Sequence, residues 1–459
     1  MAKDNNTKAA RIYVRVTPRS YLAVGFFLLF VSAFLFYLEY SLAGIVVFAA
    51  TITLLPYLAY FDRIYFDGRR LRRTGLVSRL AARLIGFGEH IRINHIEQVD
   101  TQAMRVFKRS GRVVYAYRTT VRGRGVSMTF ATGGERYIKL VRSLFTQLPD
   151  DVLDQRSMDL RDHYSDRRKV LAEAKQSNIP GADVLEGSFK NVRSTRKDID
   201  TEFETVSDER IDQAEDLRKL ANRLRVTGSL LQALEAFRRA TLIKPHDGWL
   251  LFEFAKCLYS FAGSEKDTKL ERRALAMMRL AEKRAGNDGE LLSRLGESYF
   301  QVGDWRRASQ AFRRTAENVG ESFRSLRGLA ELSLREGKIA HVIHNFAAAN
   351  RLATSPALKR WSKGEVDYFS RLNDDDEYME LEISRVNLVD SLTAWRSTAL
   401  RVTAFGMPLI GSGILFQEEL IANLGWALSG ISIVAWATLS VLEKMLAARI
   451  PLDLVERGE

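Results

Sequence analysis

The chain has 459 residues, of which 46% are hydrophobic and 27% charged, a composition that predicts two or three folded domains rather than a disordered chain. Its formal net charge of +13 suits an anionic membrane surface, an acidic protein or nucleic acid. The single cysteine, Cys257, excludes an internal disulfide framework and any multi-cysteine metal site.

The first predicted element is a transmembrane hairpin over residues 21–60, preceded by a basic tail over residues 1–20. Its two apolar runs, residues 21–38 and 42–60, each approach the about 20 residues that a helix needs to cross a bilayer core. Two such runs in tandem without an A-x-A-like site favour membrane helices over a cleaved signal peptide.

A small basic β domain is predicted next, over residues 61–149. The segments RIYFDG, RLRRTG, IRINHIEQV, RVVYAYRT and VSMTFAT have the turn residues, alternation or β-branched and aromatic content that is typical of short strands. The segment ERYIKLVRSLFTQLP has apolar residues at helical spacing, namely Tyr137, Leu140, Val141, Leu144 and Phe145. Several strands followed by one helix predict a small β-barrel or sandwich.

The membrane hairpin and the segments FDGRRLRRTGLVSR and RINHIEQV resemble the bacterial pleckstrin-homology-like (PH-like), membrane-flanking family. In that family a pair of membrane helices leads directly into a small β domain. The resemblance covers roughly residues 20–148 and implies a PH-like domain beside the inner membrane of a bacterium.

The β domain is strongly basic, since residues 62–127 hold fifteen Lys or Arg against five Asp or Glu. One interpretation is headgroup binding, because each basic residue near an anionic surface contributes about 1 kcal/mol. The other is that these charges set the topology and meet headgroups without selectivity. Nucleic acid is not the predicted partner, because Tyr115 and Tyr117 serve as well in the core as in base stacking. The predicted membrane-surface patch consists of Arg69, Arg70, Arg72, Arg73, Arg105, Lys108, Arg109, Arg112, Arg122 and Arg124.

Residues 150–208 are charged and weakly apolar. The segment SNIPGADVLEGSFKNVRSTRKDID carries Pro180, scattered glycines and little periodicity, and only SDRRKVLAEAKQ has helical character. We therefore predict a flexible polar linker without catalytic residues.

A helical repeat is predicted over residues 209–395. In LGESYFQVGDWRRASQAF, Gly303 recurs as Gly337 and Phe312 recurs as Phe346, both 34 residues later. An upstream copy, LANRLRVTGSLLQALEAFRRATLIKP, matches once the seven residues GSEKDTK are placed between the two helices of the second copy.

This pattern resembles the tetratricopeptide repeat (TPR) family, whose unit has a small residue at its eighth position and alanine at its twentieth. The small residues here are Ala221, Ala255, Gly296 and Ala330. The twentieth position holds Ala233, Ala274, Ala308 and Val342, so the fourth copy departs from the pattern. The resemblance implies an all-α solenoid of four repeats over about 214–356, with a degenerate fifth near 357–385.

The glycines of the repeat have a packing explanation. Gly296 is predicted to let the two helices of its repeat approach at Ala308, and Gly303 is predicted to end the first helix, where left-handed geometry favours glycine. Asp304 then caps the second helix, and Phe312 fills space toward the next repeat. Because one hairpin cannot bury its apolar face alone, stacking stabilises the array.

By the family's geometry, the first helices of the repeats line a groove that suits an acidic or C-terminal peptide with an apolar anchor. Arg218, Asn222 and Arg294 match parts of a carboxylate clamp found in one subtype, but Glu253 and Glu290 stand where amide and basic residues belong. For any single groove arginine, simple solvation is the alternative. The predicted partner-binding residues are Arg218, Asn222, Arg225, Trp249, Phe252, Lys256, Tyr259, Arg324 and Arg327, with Glu297 and Arg335 beside them.

A second transmembrane hairpin is predicted over residues 396–443, followed by a tail over residues 444–459. Its apolar runs are residues 402–416 and 420–442. The first run is short and has Arg401 at its edge, where the side chain can reach the membrane interface.

Basic residues flank both hairpins on one side, whereas both turns are acidic. Five basic residues precede the first hairpin between residues 3 and 19, and five follow it between residues 63 and 73, while its turn holds Glu39. Glu418 and Glu419 lie in the second turn. By the positive-inside rule both termini and residues 61–396 are predicted to be cytoplasmic, which describes a four-pass protein of a bacterial inner membrane.

The sequence contains no Walker A loop, G-x-G-x-x-G, G-x-S-x-G or H-E-x-x-H pattern. His341 and His344 share a helix face without a carboxylate at helical spacing, and we interpret them, like His90 and His95, as packing or surface groups. We predict no enzyme, no cofactor and no metal. The predicted spans hold almost no ionisable residue in their interiors, which argues against transport.

The predicted fold is a multi-domain membrane protein with two transmembrane helical hairpins, a small β-barrel or PH-like domain and an all-α TPR solenoid. The leading functional hypothesis is a scaffold or adaptor that binds a protein partner at the cytoplasmic membrane face, for assembly or recruitment of a membrane complex, with an anionic lipid surface as a second contact. The alternative is a sensor that binds an anionic lipid or a small ligand through the β domain.

Overall fold

The computed structural model describes residues 12–16, 19–76, 90–109, 112–131, 134–191, 208–446 and 449. The chain forms two units. The first contains Met1–Thr17 and Tyr60–Lys363, and the second contains Pro18–Ala59 and Gly364–Glu459.

The described residues are mostly helical. The strands are β1 Ile12–Arg15, β2 Arg63–Phe66, β3 Arg70–Thr74, β4 His90–Arg92, β5 Gln98–Arg109, β6 Arg112–Gly123 and β7 Val126–Ala131. The helices are α1 Arg19–Tyr37, α2 Ser41–Phe61, α3 Glu135–Phe145, α4 Gln155–His163, α5 Arg167–Gln176, α6 Ala182–Asn191, α7 Asp208–Val226, α8 Leu230–Ile243, α9 Gly248–Glu265, α10 Thr268–Arg284, α11 Gly289–Val302, α12 Trp305–Asn318, α13 Phe323–Arg335, α14 Ile339–Leu352, α15 Pro356–Asp374, α16 Asp376–Leu415 and α17 Glu419–Leu446.

The strands of the first unit form two antiparallel sheets. One has the order β1-β2-β3-β4 and the other the order β5-β6-β7. A 3-10 turn, Ile93–His95, separates β4 from β5, and among the described strands no pairing joins the two sheets. The prediction of a closed barrel is therefore wrong, because the ladder is interrupted where one sheet ends and the next begins.

Helix α3 covers the sheets with the face that its apolar spacing predicts. Its five apolar positions, from Tyr137 to Phe145, are all buried. They share one hydrophobic core with Phe66 and Leu71 of the first sheet and Phe130 of the second. Full burial of such a side chain contributes roughly 1.5–3 kcal/mol, so this core holds both sheets to the helix.

The segment predicted as a flexible linker is helical over most of its described length, as α4, α5 and α6. Asp154 caps α4 by accepting the backbone N–H of Ser157 at 3.0 Å, and Met158 is fully buried. The linker prediction is wrong for residues 150–191, because a few caps and apolar residues suffice where the rest of the unit offers a surface. Residues 192–207 lie outside the described part of the chain.

Four antiparallel helical hairpins follow within the described chain, as the repeat predicts: α7 with α8, α9 with α10, α11 with α12 and α13 with α14. Between α11 and α12, Gly303 has a φ of 85° and Asp304 accepts the backbone N–H of Arg307 at 3.2 Å, so both expectations for this turn are confirmed. In the second hairpin the inserted residues extend α9 to Glu265 and place Lys266 in the left-handed region. The insertion therefore lengthens a helix and leaves the helix pairing intact.

Phe312 of α12 joins two successive hairpins. A Cβ atom added at Gly296 would lie 2.6 Å from its ring, and one added at Gly328 would lie 2.4 Å from it. The two glycines leave the space that the ring fills, one in its own repeat and one in the next. The sequence predicts Ala308 opposite Gly296, but the nearest neighbour is the ring of Phe312, because the aromatic side chain reaches across the small residue.

The second unit contains the predicted membrane hairpins. Among the described residues, α2, α16 and α17 are long and apolar enough to cross a membrane, and Tyr21–Tyr37 is a shorter apolar helix. The short third apolar run lies inside α16, which is 40 residues long. Trp426 of α17 packs against Phe30, Phe34 and Tyr37 of α1, with ring centroids 5.3 to 5.4 Å apart.

Helices α16 and α17 approach each other through small residues. A Cβ atom added at Gly413 would lie 2.3 Å from the backbone nitrogen of Ala422, and one added at Gly406 would lie 2.2 Å from Oγ of Ser429. The predicted degenerate fifth repeat corresponds to α15 and the start of α16. With 40 residues, α16 is far longer than the second helix of a repeat.

Candidate protein-binding surface

The predicted groove residues lie on the first helices of the four hairpins, α7, α9, α11 and α13. Helix α4 and the residues just before it contact all four of these helices. We call the covered surface the inner face, and it comprises Arg225, Lys256, Ser298 and Arg324. The groove that was predicted to bind a peptide is thus occupied by a segment of the same chain that was predicted to be a linker.

An ion-pair cluster forms around Asp159 of α4. Its Oδ2 atom lies 3.0 Å from Nη1 of Arg225 and 2.9 Å from Nζ of Lys256. All three side chains are only 9 to 13% exposed. Burial by itself raises the pKa of Asp159, but the two neighbouring cations lower it well below its usual value. One buried carboxylate therefore faces two buried cations.

Polar contacts continue along the inner face toward the last repeat. Oγ of Ser298 lies 3.0 Å from Oε1 of Gln155, and Nε2 of Gln155 lies 3.4 Å from the carbonyl oxygen of Arg294. Nη2 of Arg324 donates to the carbonyl oxygen of Asp150 at 2.9 Å. Gln155 lies one helical turn before the carboxylate of the cluster, so the same face of α4 makes both contacts.

The opposite side of α4 is tied to the second sheet. Oγ of Ser157 lies 2.7 Å from Oγ1 of Thr101 on β5, which lies 3.1 Å from Oγ1 of Thr119 on β6. Asp154 accepts the backbone N–H of Thr101 at 3.2 Å. Burial, aided by the charge of Asp100 and opposed by these hydrogen bonds, raises the pKa of Asp154 to about 6. Helix α4 therefore links the β sheets to the repeat array.

Two residues of the predicted carboxylate clamp already hold a carboxylate of this chain. Arg218 donates to both oxygens of Glu253, at 2.7 and 2.9 Å, and Nδ2 of Asn222 donates to Oε2 at 2.7 Å. Burial alone would raise the pKa of Glu253, but Arg218 and Asn222 bring it below its usual value. Arg294 pairs instead with Glu290 on its own helix, at 2.6 Å. The clamp is therefore occupied by Glu253 and is not free to bind the C-terminal carboxylate of a peptide.

The remaining predicted groove residues also have partners inside the chain or line a cavity. Phe252 is only 1% exposed. Nε1 of Trp249 donates at 2.6 Å to the aspartate that caps α11, and Nε of Arg327 donates to Glu331 at 2.9 Å. Tyr259 is half-buried and lines a cavity beside α4. Their role in binding a partner stays a prediction, and the sequence did not predict that α4 contacts this surface.

Two cavities remain beside α4. One of about 230 Å³ lies at the N-terminal end of α4 and is lined by Asp154, Glu297 and Phe300 among others. The other, of about 280 Å³, lies next to the ion-pair cluster and is lined by Arg156 and Tyr259 among others. Helix α4 therefore leaves space at both ends of the inner face.

The predicted basic patch is divided among three places. The groups are Arg69, Arg70, Arg72 and Arg73 on or beside β3; Arg105, Lys108, Arg109 and Arg112 in the second half of β5 and at the start of β6; and Arg122 and Arg124 at the other end of β6. The backbones of Arg112 and Arg122 are ten residues apart along one strand, which corresponds to about 34 Å. One lipid headgroup therefore cannot meet all three groups.

One arginine of the group on β3, Arg70, lies directly opposite an arginine of β4. Arg70 is paired in register with Arg92, and Arg72 with His90, and all four residues are exposed. Like charges directly opposite one another destabilise a sheet. Arg73 differs, because it makes a bidentate ion pair with the buried Asp62, at 3.0 and 2.5 Å.

The remaining candidate residues lie either in the hydrophobic core or on the surface. Cys257 is buried, which raises the pKa of its thiol to about 12, and Tyr117 is buried and donates to the carbonyl oxygen of Val226 at 2.6 Å. His341 and His344 are exposed on α14. Within the described part of the chain, no group of three or more His, Cys, Asp or Glu is placed to hold a metal ion.

Gln155 and Asp159 lie outside the residues predicted from the sequence, because their segment has few apolar residues. A usable signal was present: Asp154 followed three residues later by Ser157 is typical of a helix start, and Met158 then supplies an apolar anchor. No local pattern indicates that this helix lies on the repeat array.

Comparisons with known proteins assign no family, since no protein-family model and no curated protein matches the chain. Among solved structures, the chain is similar to the thermophilic TPR protein TTC0263 of Thermus thermophilus, with 16% identity over 43% of this chain and 96% of that one and a TM-score of 0.29. It is similar to PilF of Pseudomonas aeruginosa, with 18% identity, 51% and 99% coverage and a TM-score of 0.30. It is also similar to a chain of the APC/C hetero-tetramer Cut9–Hcn1, with 11% identity, 66% and 52% coverage and a TM-score of 0.29. The TPR-like architecture of this chain rests on its own four successive helical hairpins.

Proposed function

We propose that the chain is a non-catalytic scaffold, anchored in a bacterial inner membrane, that binds a protein partner at the cytoplasmic face and assembles or recruits a membrane complex. The observation that carries this proposal is the inner face, where four successive hairpins together hold a helix. Stacked hairpins present continuous surfaces of this kind to polypeptides. The apolar helices α2, α16 and α17 support the membrane anchor.

Photo-crosslinking in native membranes tests the scaffold function. A photo-reactive residue is placed at Tyr259, which lines the cavity beside α4, and in a control chain at Arg273, which is exposed on α10. We expect a defined protein product from the first position, identified by mass spectrometry, and not from the second. Identical or absent products from the two positions would contradict the scaffold function.

Anionic lipid binding by the β domain is the second candidate function. Strands β2 to β7 in two antiparallel sheets, followed by α3, support the PH-like assignment of residues 61–149. Arg70 opposite Arg92 favours an anion on the outer side of the first sheet. Because β2 begins directly after α2 along the chain, we place this sheet beside the lipid headgroups.

Hydrogen exchange of the full chain in nanodiscs separates lipid selectivity from general attraction. We expect the first sheet to become more protected as the anionic lipid fraction rises. Arg70→Ser combined with Arg92→Ser removes this effect, whereas Arg272→Ser combined with Arg273→Ser, at two exposed arginines of α10 in the repeat array, preserves it. Stronger protection by one anionic headgroup than by the others supports a sensor. Equal protection by all anionic lipids supports a contact without selectivity. Protection that is as strong in purely zwitterionic nanodiscs contradicts both.

A further inference from the structure

Helix α4 resembles a bound ligand more than a member of the repeat array. It has nine residues, fewer than the about 12–15 at which even good isolated helices become marginally stable in water. Its conformation therefore depends on the surfaces that hold it. Those surfaces are the inner face on one side and β5 on the other.

The charges of the inner face require a carboxylate at one place. Arg225 and Lys256 both pair with Asp159, while Glu253 on the same array is taken by Arg218. Without Asp159, two buried cations would lie side by side and both would lose the carboxylate with which they form ion pairs, which is strongly unfavourable. Any polypeptide that replaces α4 must therefore bring an aspartate or glutamate to this position.

The spacing on α4 defines the ligand further. Gln155 meets Ser298 one turn before Asp159, and the fully buried Met158 lies between these two contacts. The matching ligand is a helix with an amide, an apolar residue three positions later and an acidic residue four positions later. The nine residues of α4 span about 13 Å, and the cavity at its N-terminal end leaves room for a longer helix.

We infer that the inner face is the docking site for an acidic helix of a protein partner, and that α4 is an internal ligand which this partner displaces. The inference rests on the proposed scaffold function and adds the partner's chemistry and a closed resting state. A second copy of the chain, offering its own α4, is the competing occupant.

Weakening the internal ligand is the first half of the test. The variant is Asp159→Asn in the full chain, and the matched control is Asp162→Asn, an exposed carboxylate of the same helix that pairs only with its neighbour Arg161 among the described ion pairs. In hydrogen exchange, the α4 amides should exchange at least about tenfold faster in the first variant, which corresponds to a loss of about 1.4 kcal/mol, and at the native rate in the control. Unchanged exchange in Asp159→Asn would overturn the displaceable ligand.

Binding in trans is the second half. The probe is a labelled synthetic peptide with the sequence of residues 150–166, compared with the same peptide carrying Asp159→Asn. We expect the unaltered peptide to bind the Asp159→Asn chain at least about tenfold more tightly than the native chain or the control, and the altered peptide to bind weakly. Failure of the unaltered peptide to bind the released chain would overturn the docking site. Should Asp159→Asn unfold the chain, Gln155→Ala, which leaves the ion-pair cluster intact, replaces it in both measurements.

The remaining outcomes separate this inference from the scaffold function. If the Asp159→Asn chain forms dimers in mass photometry that the peptide dissociates, a second copy is the occupant and the protein partner is overturned. A protein crosslinked through Tyr259 without peptide binding retains the scaffold and overturns the acidic-helix site. Peptide binding without any crosslinked protein retains the site and contradicts the scaffold.

Discussion

Asp154→Asn tests how the N-terminal cap of α4 responds to pH. Burial raises the pKa of Asp154 from 3.8 to about 6, so its ionisation costs more in the folded chain than in the unfolded one. The contribution of Asp154 to stability is therefore greatest below about pH 4, is lost between about pH 4 and pH 6, and reaches its full cost above that range. A shift of about two pKa units corresponds to at most about 3 kcal/mol.

The asparagine variant keeps the cap but not the charge. Oδ1 accepts the backbone N–H groups of Thr101 and Ser157 at 3.2 and 3.0 Å, and asparagine caps helices as well as aspartate does. Denaturant unfolding of the first unit in the detergent-solubilised chain, followed by tryptophan fluorescence, measures both chains across pH. We expect equal stability near pH 4 and a variant more stable by up to about 3 kcal/mol at pH 7.5. A difference that does not change with pH would refute the reasoning.

Three further substitutions test the array and the membrane hairpin. Gly328→Ala places a Cβ atom 2.4 Å from the ring of Phe312 and should lower the free energy of unfolding by about 1–3 kcal/mol in the same denaturation assay. Arg218→Glu sets a second carboxylate beside the buried Glu253 and should cost about 3–5 kcal/mol, seen as a lower melting temperature. Gly413→Ala places a Cβ atom 2.3 Å from the backbone nitrogen of Ala422 on α17. It should therefore separate α16 from α17 and reduce disulfide crosslinking between cysteines introduced at facing positions of the two helices.

Matched substitutions control each of these predictions. Gly364→Ala and Gly411→Ala meet no atom within 4 Å, so a loss equal to that of Gly328→Ala or Gly413→Ala would contradict the packing explanation. Arg223→Glu breaks a half-buried ion pair with Glu173, which is more exposed than the pair of Arg218 with Glu253 and contributes about 1 kcal/mol. If it destabilises the chain as much as the substitution at Arg218, burial does not explain the effect.

Local sequence patterns were sufficient to predict the helical hairpins and α3. Gly303 ends its helix in the left-handed region and Asp304 caps the next one, because both preferences belong to the residues themselves and to their immediate neighbours. The apolar face of α3 followed from spacing alone, since a helix brings positions three and four apart to one side. The sequence predicted that Phe312 fills space toward the next repeat, but not that its ring packs against Gly328, because that contact joins two repeats.

The linker prediction failed because α4 depends on contacts outside its own segment. Residues 155–163 contain few apolar side chains, so helical propensity and periodicity are weak there. Their helix is held by contacts with residues far away in the chain: Arg225 and Lys256 pair with Asp159, and Thr101 contacts Ser157. Such contacts leave no trace in a short window of sequence.

The sequence by itself determined the apolar helices, the repeat period, the turn chemistry and the side chains of the inner face, because each depends on spacing within a few tens of residues. Only the tertiary structure decided what lies on that face. A buried cation is stable only beside a carboxylate, and which carboxylate reaches Arg225 and Lys256 depends on how α4 crosses four repeats. That path is set by the packing of the whole first unit.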